Sequence, residues 1–141
     1  MNTSGILLFA HGARDPAWAR PFQAVATRLA QQQPGTPVKL AFLEFMSPDI
    51  AQAGAELAAQ GCSQVTVVPL FLGAGGHVRK DLPALLQTLG TQYPDVTWTL
   101  SPAVGETELL INALADSALA LAQGTASLLN DEAEAAGLLQ V

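Results

Sequence analysis

The chain has 141 residues, half of them apolar, with six lysines and arginines against twelve aspartates and glutamates and a formal net charge of −6. That length and composition suit one compact domain with its own core and exclude a disordered chain. The acidic balance excludes a broad electrostatic footprint for nucleic acid or an anionic membrane, and the single cysteine excludes an intramolecular disulfide and a cysteine-built metal cage.

Short apolar runs alternate with longer amphipathic ones, the pattern of βαβ units around a parallel sheet. GILLFA, residues 5–10, reads as a first strand covered on both faces. It is too short to span a membrane and has no basic region before it, so a cytoplasmic location is expected. Asp15 and Pro16 predict a helix start. Trp18, Phe22, Val25 and Leu29 predict one apolar stripe to about residue 33, and Pro34-Gly35 ends it.

VKLAFLEF, residues 38–45, predicts the second strand, followed by a helix capped by Ser47 with Pro48 at its first position. Ile50, Ala53 and Leu57 share a face of that helix, and Gly61 stops it. QVTVVPLFL, residues 64–72, is the most β-branched run, and Pro69 predicts a bend or an end nearby. GAGGHVRKD is a loop leading to a helix with Leu82, Leu85, Leu86 and Leu89 on its buried side. Pro83 asks for a place in the first turn of that helix.

DVTWTL, residues 95–100, predicts a fourth strand, and Leu110, Leu114, Ser117 and Leu121 mark a final helix. Residues 1–124 then form one α/β domain: an open, parallel, four-stranded, flavodoxin-like sheet with helices on both faces. The tail, residues 125–141, has helix-forming composition but no regular stripe, and reads as a docked helix, a partner-binding arm or a frayed end.

In such a sheet, ligands bind beyond the carboxyl ends of the strands. His11 follows the first strand, Glu44 lies near the end of the second, and His77 sits in the loop after the third. With strand one between strands two and three, right-handed crossovers bring all three to one edge. These are the only two histidines, and four of the six cations stand beside them: Arg14, Arg20, Arg79 and Lys80. Either histidine alone would be read as a hydrogen-bonded loop residue, and Glu44 alone as a partner for a backbone N–H or an arginine. Together they suit metal ligation or proton transfer, and the clustered cations suit a carboxylate-rich ligand.

Gly73-Ala74-Gly75-Gly76 reads either as a turn that needs positive φ or as backbone that a flat or anionic ligand approaches closely. It lacks the GK[ST] ending of a P-loop, and the first unit lacks GxGxxG, which argues against nucleotide binding. Cys62 precedes a strand, so it belongs to the opposite edge as a small buried residue.

HGARDPAW at 11–18, AFLEF at 41–45 and PLFLGAGGHVRKDLP at 69–83 resemble, in order, the short sirohydrochlorin chelatases, the cobalt- and ferro-chelatase family of sirohaem and cobalamin biosynthesis. The third motif is the most specific, because it joins glycine loop, histidine, basic pair and D-x-P at fixed spacing. The resemblance runs from about residue 5 to residue 123 and implies a chelatase-type fold. It also implies a metal held by His11 and His77, with His11 as proton acceptor and Glu44 beside them in the catalytic group. Leu72, Gly73, Ala74, Gly75, Gly76 and His77, with the second-strand end near Glu44, would contact the tetrapyrrole; the placement of Arg14, Arg79 and Lys80 beside the histidines predicts that they bind its carboxylates.

No permanently bound cofactor is implied. The divalent metal is a substrate, Co2+ or Fe2+ with Ni2+ as an alternative, and imidazole ligands do not discriminate among them. Longer relatives carry two such domains in one chain, so a single one implies a homodimer with facing clefts. The tail matches nothing recognisable and has no histidine-rich stretch. Two other classes stay open. One is a non-enzymatic carrier of metal or tetrapyrrole, which would use the same ligands. The other is a histidine-dependent phosphatase with Arg14 as phosphate clamp, against which Ala10 stands where an arginine usually precedes the histidine.

Overall fold

The computed structural model describes residues 3–73 and 75–124, and His77 through its backbone; four parallel strands organise what it shows. They are β1 (Ser4–Ala10), β2 (Val38–Phe42), β3 (Gln64–Pro69) and β4 (Thr97–Leu100), in the order β2-β1-β3-β4. The uninterrupted apolar run takes the centre, since a central strand is covered on both faces. In register, Ala10 lies opposite Phe42 and Phe9 opposite Pro69, so β1, β2 and β3 end at one edge.

Helices cover both faces, as the alternation predicts. On one face Leu7, Phe9, Val65 and Val67 pack with α2 (Ile50–Ala59) and α3 (Gly76–Gln92) through Ala53, Leu57, Leu82 and Leu89. On the other, Ala10 and Phe42 meet Ala19, Trp18 and Phe22 where the chain enters α1 (Arg20–Gln32). These elements belong to the first of two compact units, Met1–Thr107. Of the second unit, Glu108–Val141, the described part is mainly α4 (Glu108–Ala122), followed at Gly124 by a positive φ of 69°. Leu114 and Leu121, two of the residues that mark this helix in the sequence, are exposed, as are Leu109, Ile111 and Leu119. The tail from Thr125 onward lies outside the described residues. No helix among the described residues is long and apolar enough to cross a membrane.

Four local expectations are corrected. The helix expected from Pro16 opens as a 3-10 turn, Pro16–Ala19, in which Asp15 accepts from the Ala17 N–H at 2.9 Å; α1 begins only at Arg20. The second strand stops at Phe42, because the chain reverses at Phe45 with φ 65° and the Met46 N–H donates to the Glu44 carbonyl at 2.8 Å. Glu44 is therefore a loop residue. Asp49, not Ser47, caps α2: its carboxylate accepts from the Gln52 N–H at 2.8 Å, and the Gln52 side chain accepts from the Asp49 N–H at 2.9 Å. This reciprocal pair satisfies two helix-end donors, which Ser47, before a cis Pro48, is placed too early to do. Finally, α3 starts at Gly76, so His77 lies in its first turn rather than in a loop, and Pro83 falls inside the helix.

Glycines separate backbone freedom from packing. Gly12 has φ 88°, and a Cβ there would fall on the Glu44 carbonyl oxygen; Gly61 has φ 87° but open space around it. Gly73 has neither constraint. Gly12→Ala is expected to cost about 2–5 kcal/mol, left-handed strain plus overpacking against backbone. Gly61→Ala should cost about 1 kcal/mol and Gly73→Ala less than about 0.5 kcal/mol. Urea unfolding of the three variants measures this order, and a Gly12→Ala no worse than Gly61→Ala would refute the close approach.

Candidate functional site

The ladder between β1 and β2 continues past the end of the strands. The Leu43 N–H donates to the Ala10 carbonyl at 2.9 Å, and the Glu44 N–H to the His11 carbonyl at 3.0 Å. On the other side, the Leu70 N–H donates to the Phe9 carbonyl at 2.7 Å. His11 is thus held between the loops that follow β2 and β3, as its place after the central strand predicts. The backbone of His77 opens α3 at the same edge. His11 and Glu44 are brought together as neighbours across the extended ladder.

The His11 imidazole is exposed and lies on Phe71, with ring centroids 4.4 Å apart and planes inclined at 35°. Phe71 is 3% exposed and meets Phe9 edge-on at 6.0 Å, so the support belongs to the core. Among the described residues no side-chain hydrogen bond orients the imidazole; the ring stack does. Histidine ligands are commonly oriented by a carboxylate or carbonyl, and packing takes that place here.

Phe71 is itself braced. The Gly105 N–H donates to its carbonyl at 2.9 Å, and a Cβ on Gly105 would collide with the Leu72 carbonyl. The short turn Val104–Glu106 therefore fits directly beneath the loop that follows β3.

Around the imidazole the edge is apolar at its rim. Leu43, Phe45 and Leu72 are 38%, 57% and 69% exposed, and they flank the end of β1 on both sides. Scattered exposed apolar residues are ordinary, but three on the loops around one histidine form a surface suited to a flat apolar ligand. Gly73, Gly75 and Gly76 have no positive φ, and a Cβ on any of them would meet open space. The turn explanation for this glycine run is thereby removed, and an open backbone that a ligand can approach remains.

The cations divide by partner. Arg79 pairs with Glu106 at 3.3 Å, beside a cavity of about 250 Å3 lined by Pro69, Phe71, Leu82 and Ala103. Both side chains of this pair are well exposed, so the pair is worth no more than about 1 kcal/mol and exchanges readily. Arg14 lies over the Phe45 ring, 4.9 Å from its centroid. Lys39, away from the edge, pairs with Glu56 at 3.3 Å. Lys80 is exposed, and Ala74 lies outside the described residues.

Cys62 is buried at the opposite edge, where burial pushes its thiol up and keeps it protonated. A protonated thiol is a poor ligand. Among the described residues no three His, Cys, Asp or Glu side chains converge, so nothing there forms a closed metal cage. An exposed imidazole with positions left open suits a metal that is handed on.

Gly12, Phe45, Phe71, Gly105 and Glu106 were not singled out for the site from the sequence. Phe71 stands inside the recognised third motif, two residues after Pro69, and could have been found there. Glu106 is 27 residues from Arg79, and no local pattern joins them.

The CbiX family profile matches residues 5–120. A sirohydrochlorin cobaltochelatase from Saccharolobus solfataricus is 37% identical over 82 residues, covering 58% of this chain and 62% of that protein. The chain spans about three fifths of the length of the curated relatives it matches. Among solved structures, one from Marinobacter aquaeolei VT8, described as a cobalamin (vitamin B12) biosynthesis CbiX protein, has a TM-score of 0.75 and 32% identity, covering 85% of this chain and 98% of that one. The sirohydrochlorin chelatase SirB from Bacillus subtilis subspecies spizizenii, in complex with cobalt, has a TM-score of 0.67 and 25% identity, covering 81% of this chain and 49% of that one.

The stack on Phe71 has a direct spectroscopic consequence. A ring 4.4 Å away displaces the imidazole proton resonances of His11, and Phe71→Leu is expected to remove that displacement while the fold persists. Carbon–proton correlation spectra of the two proteins decide it, and unchanged His11 resonances would mean that Phe71 does not support the ring.

Proposed function

The chain belongs to the CbiX family, and from that premise we propose that it inserts Co2+ or Fe2+ into a sirohydrochlorin-type tetrapyrrole, toward cobalamin or sirohaem. The observation that carries the reading is the exposed His11 residue, its imidazole backed by Phe71 and set between loops bearing Leu43 and Leu72. It combines a borderline-soft nitrogen donor with apolar contacts for a macrocycle face.

Insertion removes water from the metal and two protons from pyrrole nitrogens. His11 and His77 hold the metal first; as it passes to the ring, the freed His11 nitrogen accepts one pyrrole proton, and the Glu44 carboxylate, on an exposed residue bonded through its backbone to His11, accepts the other. Two protein nitrogens leave coordination positions free for the incoming ring nitrogens. Leu72 and the stretch from Gly73 to His77 face the macrocycle, with open backbone at Gly73, Gly75 and Gly76. Arg14, Arg79 and Lys80 receive its carboxylates, with Glu106 yielding Arg79 to a substrate carboxylate.

No permanently bound cofactor enters the scheme. Two copies acting as a homodimer would present facing clefts; the matched 81% of this chain covers 49% of the SirB chain, so two copies of the matched segment approximate its length. The reading places the reaction in the cytoplasm.

Steady-state insertion into sirohydrochlorin, followed by tetrapyrrole absorbance, tests the reading, and binding without multiple turnovers would leave a carrier instead. His11→Gln should still bind the tetrapyrrole and insert metal at least about a hundredfold more slowly, because glutamine is no base near neutrality. His77→Ala should abolish insertion. Near-normal single-turnover insertion by His11→Gln would move the base role to Glu44 or His77.

Gly73 offers a separate check. Its alanine variant has room in the free chain, so its stability should match the wild type. If ligand approaches the backbone there, the variant's KM for sirohydrochlorin rises severalfold with kcat little changed. An unaltered KM would place the macrocycle elsewhere.

A further inference from the structure

Phe45 has a conformation that its residue type disfavours. Its φ is 65°, the left-handed region, and the Met46 N–H donates to the Glu44 carbonyl at 2.8 Å across it. A bond from residue i+2 to residue i around a positive φ is the signature of the classic γ-turn, a rare and strained reversal. A phenylalanine gains nothing locally from that position, where glycine or asparagine would sit more easily. The ring is also 57% exposed, so burial does not explain it.

The surroundings hold this turn in place. The Glu44 N–H is bonded to the His11 carbonyl, and Gly12 lies so close to the Glu44 carbonyl that no side chain fits between. The reversal projects the Phe45 ring from the loop after β2, at the edge where His11 lies. Arg14 lies over that ring with its guanidinium carbon 4.9 Å from the centroid. A cavity of about 310 Å3 adjoins the pair, lined also by Ala13, Pro16, Ala19 and Phe42. Among the described residues no carboxylate is paired with Arg14, in contrast to Arg79 and Lys39.

A guanidinium held over an aromatic face can keep N–H donors available to a ligand and loses rotational freedom in advance. That is the geometry of a preset fork for a carboxylate. Strain persisting at an exposed residue beside a reactive histidine is the kind of outlier that marks a functional position.

We propose that Phe45 is a positioning residue: its γ-turn presents the ring that holds Arg14 as a fixed carboxylate fork beside His11, for an anionic arm of a flat polycarboxylate ligand. The inference rests on the tetrapyrrole reading above and adds the device that sets the ring's orientation in the cleft. Arg14 makes the contact, and Phe45 acts through Arg14.

Phe45→Gly separates the ring from the turn, because glycine adopts the positive φ without strain. The variant is expected to melt no lower than the wild type. Its KM and its dissociation constant for sirohydrochlorin should both rise roughly tenfold, the scale of one charge-assisted contact, with kcat within about twofold. Arg14→Ala should show the same loss, and the double variant little more than either alone, since one contact cannot be lost twice. Phe45→Tyr should restore wild-type values, and Phe45→Leu should not.

Wild-type affinity in Phe45→Gly, multiplying losses in the double variant, or full rescue by Phe45→Leu would each overturn the proposal while leaving the chelatase reading intact. Failure of the wild-type protein itself to bind sirohydrochlorin would overturn both.

Discussion

The site depends on a close approach between two backbone segments that lie beyond the end of the sheet. Gly12 stands against the Glu44 carbonyl, and the hydrogen bonds Leu43–Ala10 and Glu44–His11 run on either side of that contact. They extend the β1–β2 ladder by two residues after regular strand geometry has ended. A side chain at position 12 would push the segments apart, and with them His11, Glu44 and the reversal at Phe45. The absence of one Cβ therefore fixes the relative positions of an imidazole, a carboxylate and an aromatic ring.

The opposite side of His11 is built by different physics. There a buried ring, Phe71, supports the imidazole face, and the turn Val104–Glu106 braces Phe71 and Leu72 through the second close glycine contact, Gly105. One flank is set by backbone hydrogen bonds and the other by packing. Both are continuous with the core, so the histidine is orientated by elements that would have to unfold to move it. The residue stays exposed, which would suit a group that meets a metal and a macrocycle in turn.

Charge follows the same division of labour. In a chain with net charge −6, four of six cations stand near the two histidines, but they are not equivalent. Arg79 is engaged by Glu106 in a weak exposed pair, whereas Arg14 lies over Phe45 and, among the described residues, pairs with no carboxylate. An anionic ligand would replace a carboxylate at the first and find a ready donor at the second. The exposed apolar side chains of Leu43 and Leu72 suit a ligand that is flat as well as charged.

Much of this was legible in the residues themselves. Hydrophobic run length distinguished four strands from the helices. The β-branched third strand, the cap at Asp15 and the stop at Gly61 fell where local chemistry put them, because those signals act within a few residues. The order of strands and right-handed crossovers alone brings His11, Glu44 and His77 to one edge. Tertiary structure decided what lies between distant residues. The strand that the sequence extends to Phe45 ends at Phe42, since Gly12 and His11 capture the Glu44 backbone and force a reversal that no local propensity favours. The cap moved from Ser47 to Asp49 because Gln52 completes a reciprocal pair there. The ring under His11, the partner of Arg79 and the ring under Arg14 come from residues far apart in sequence. Hydrophobic periodicity determines which face is buried; it carries no information about which two side chains meet across an edge.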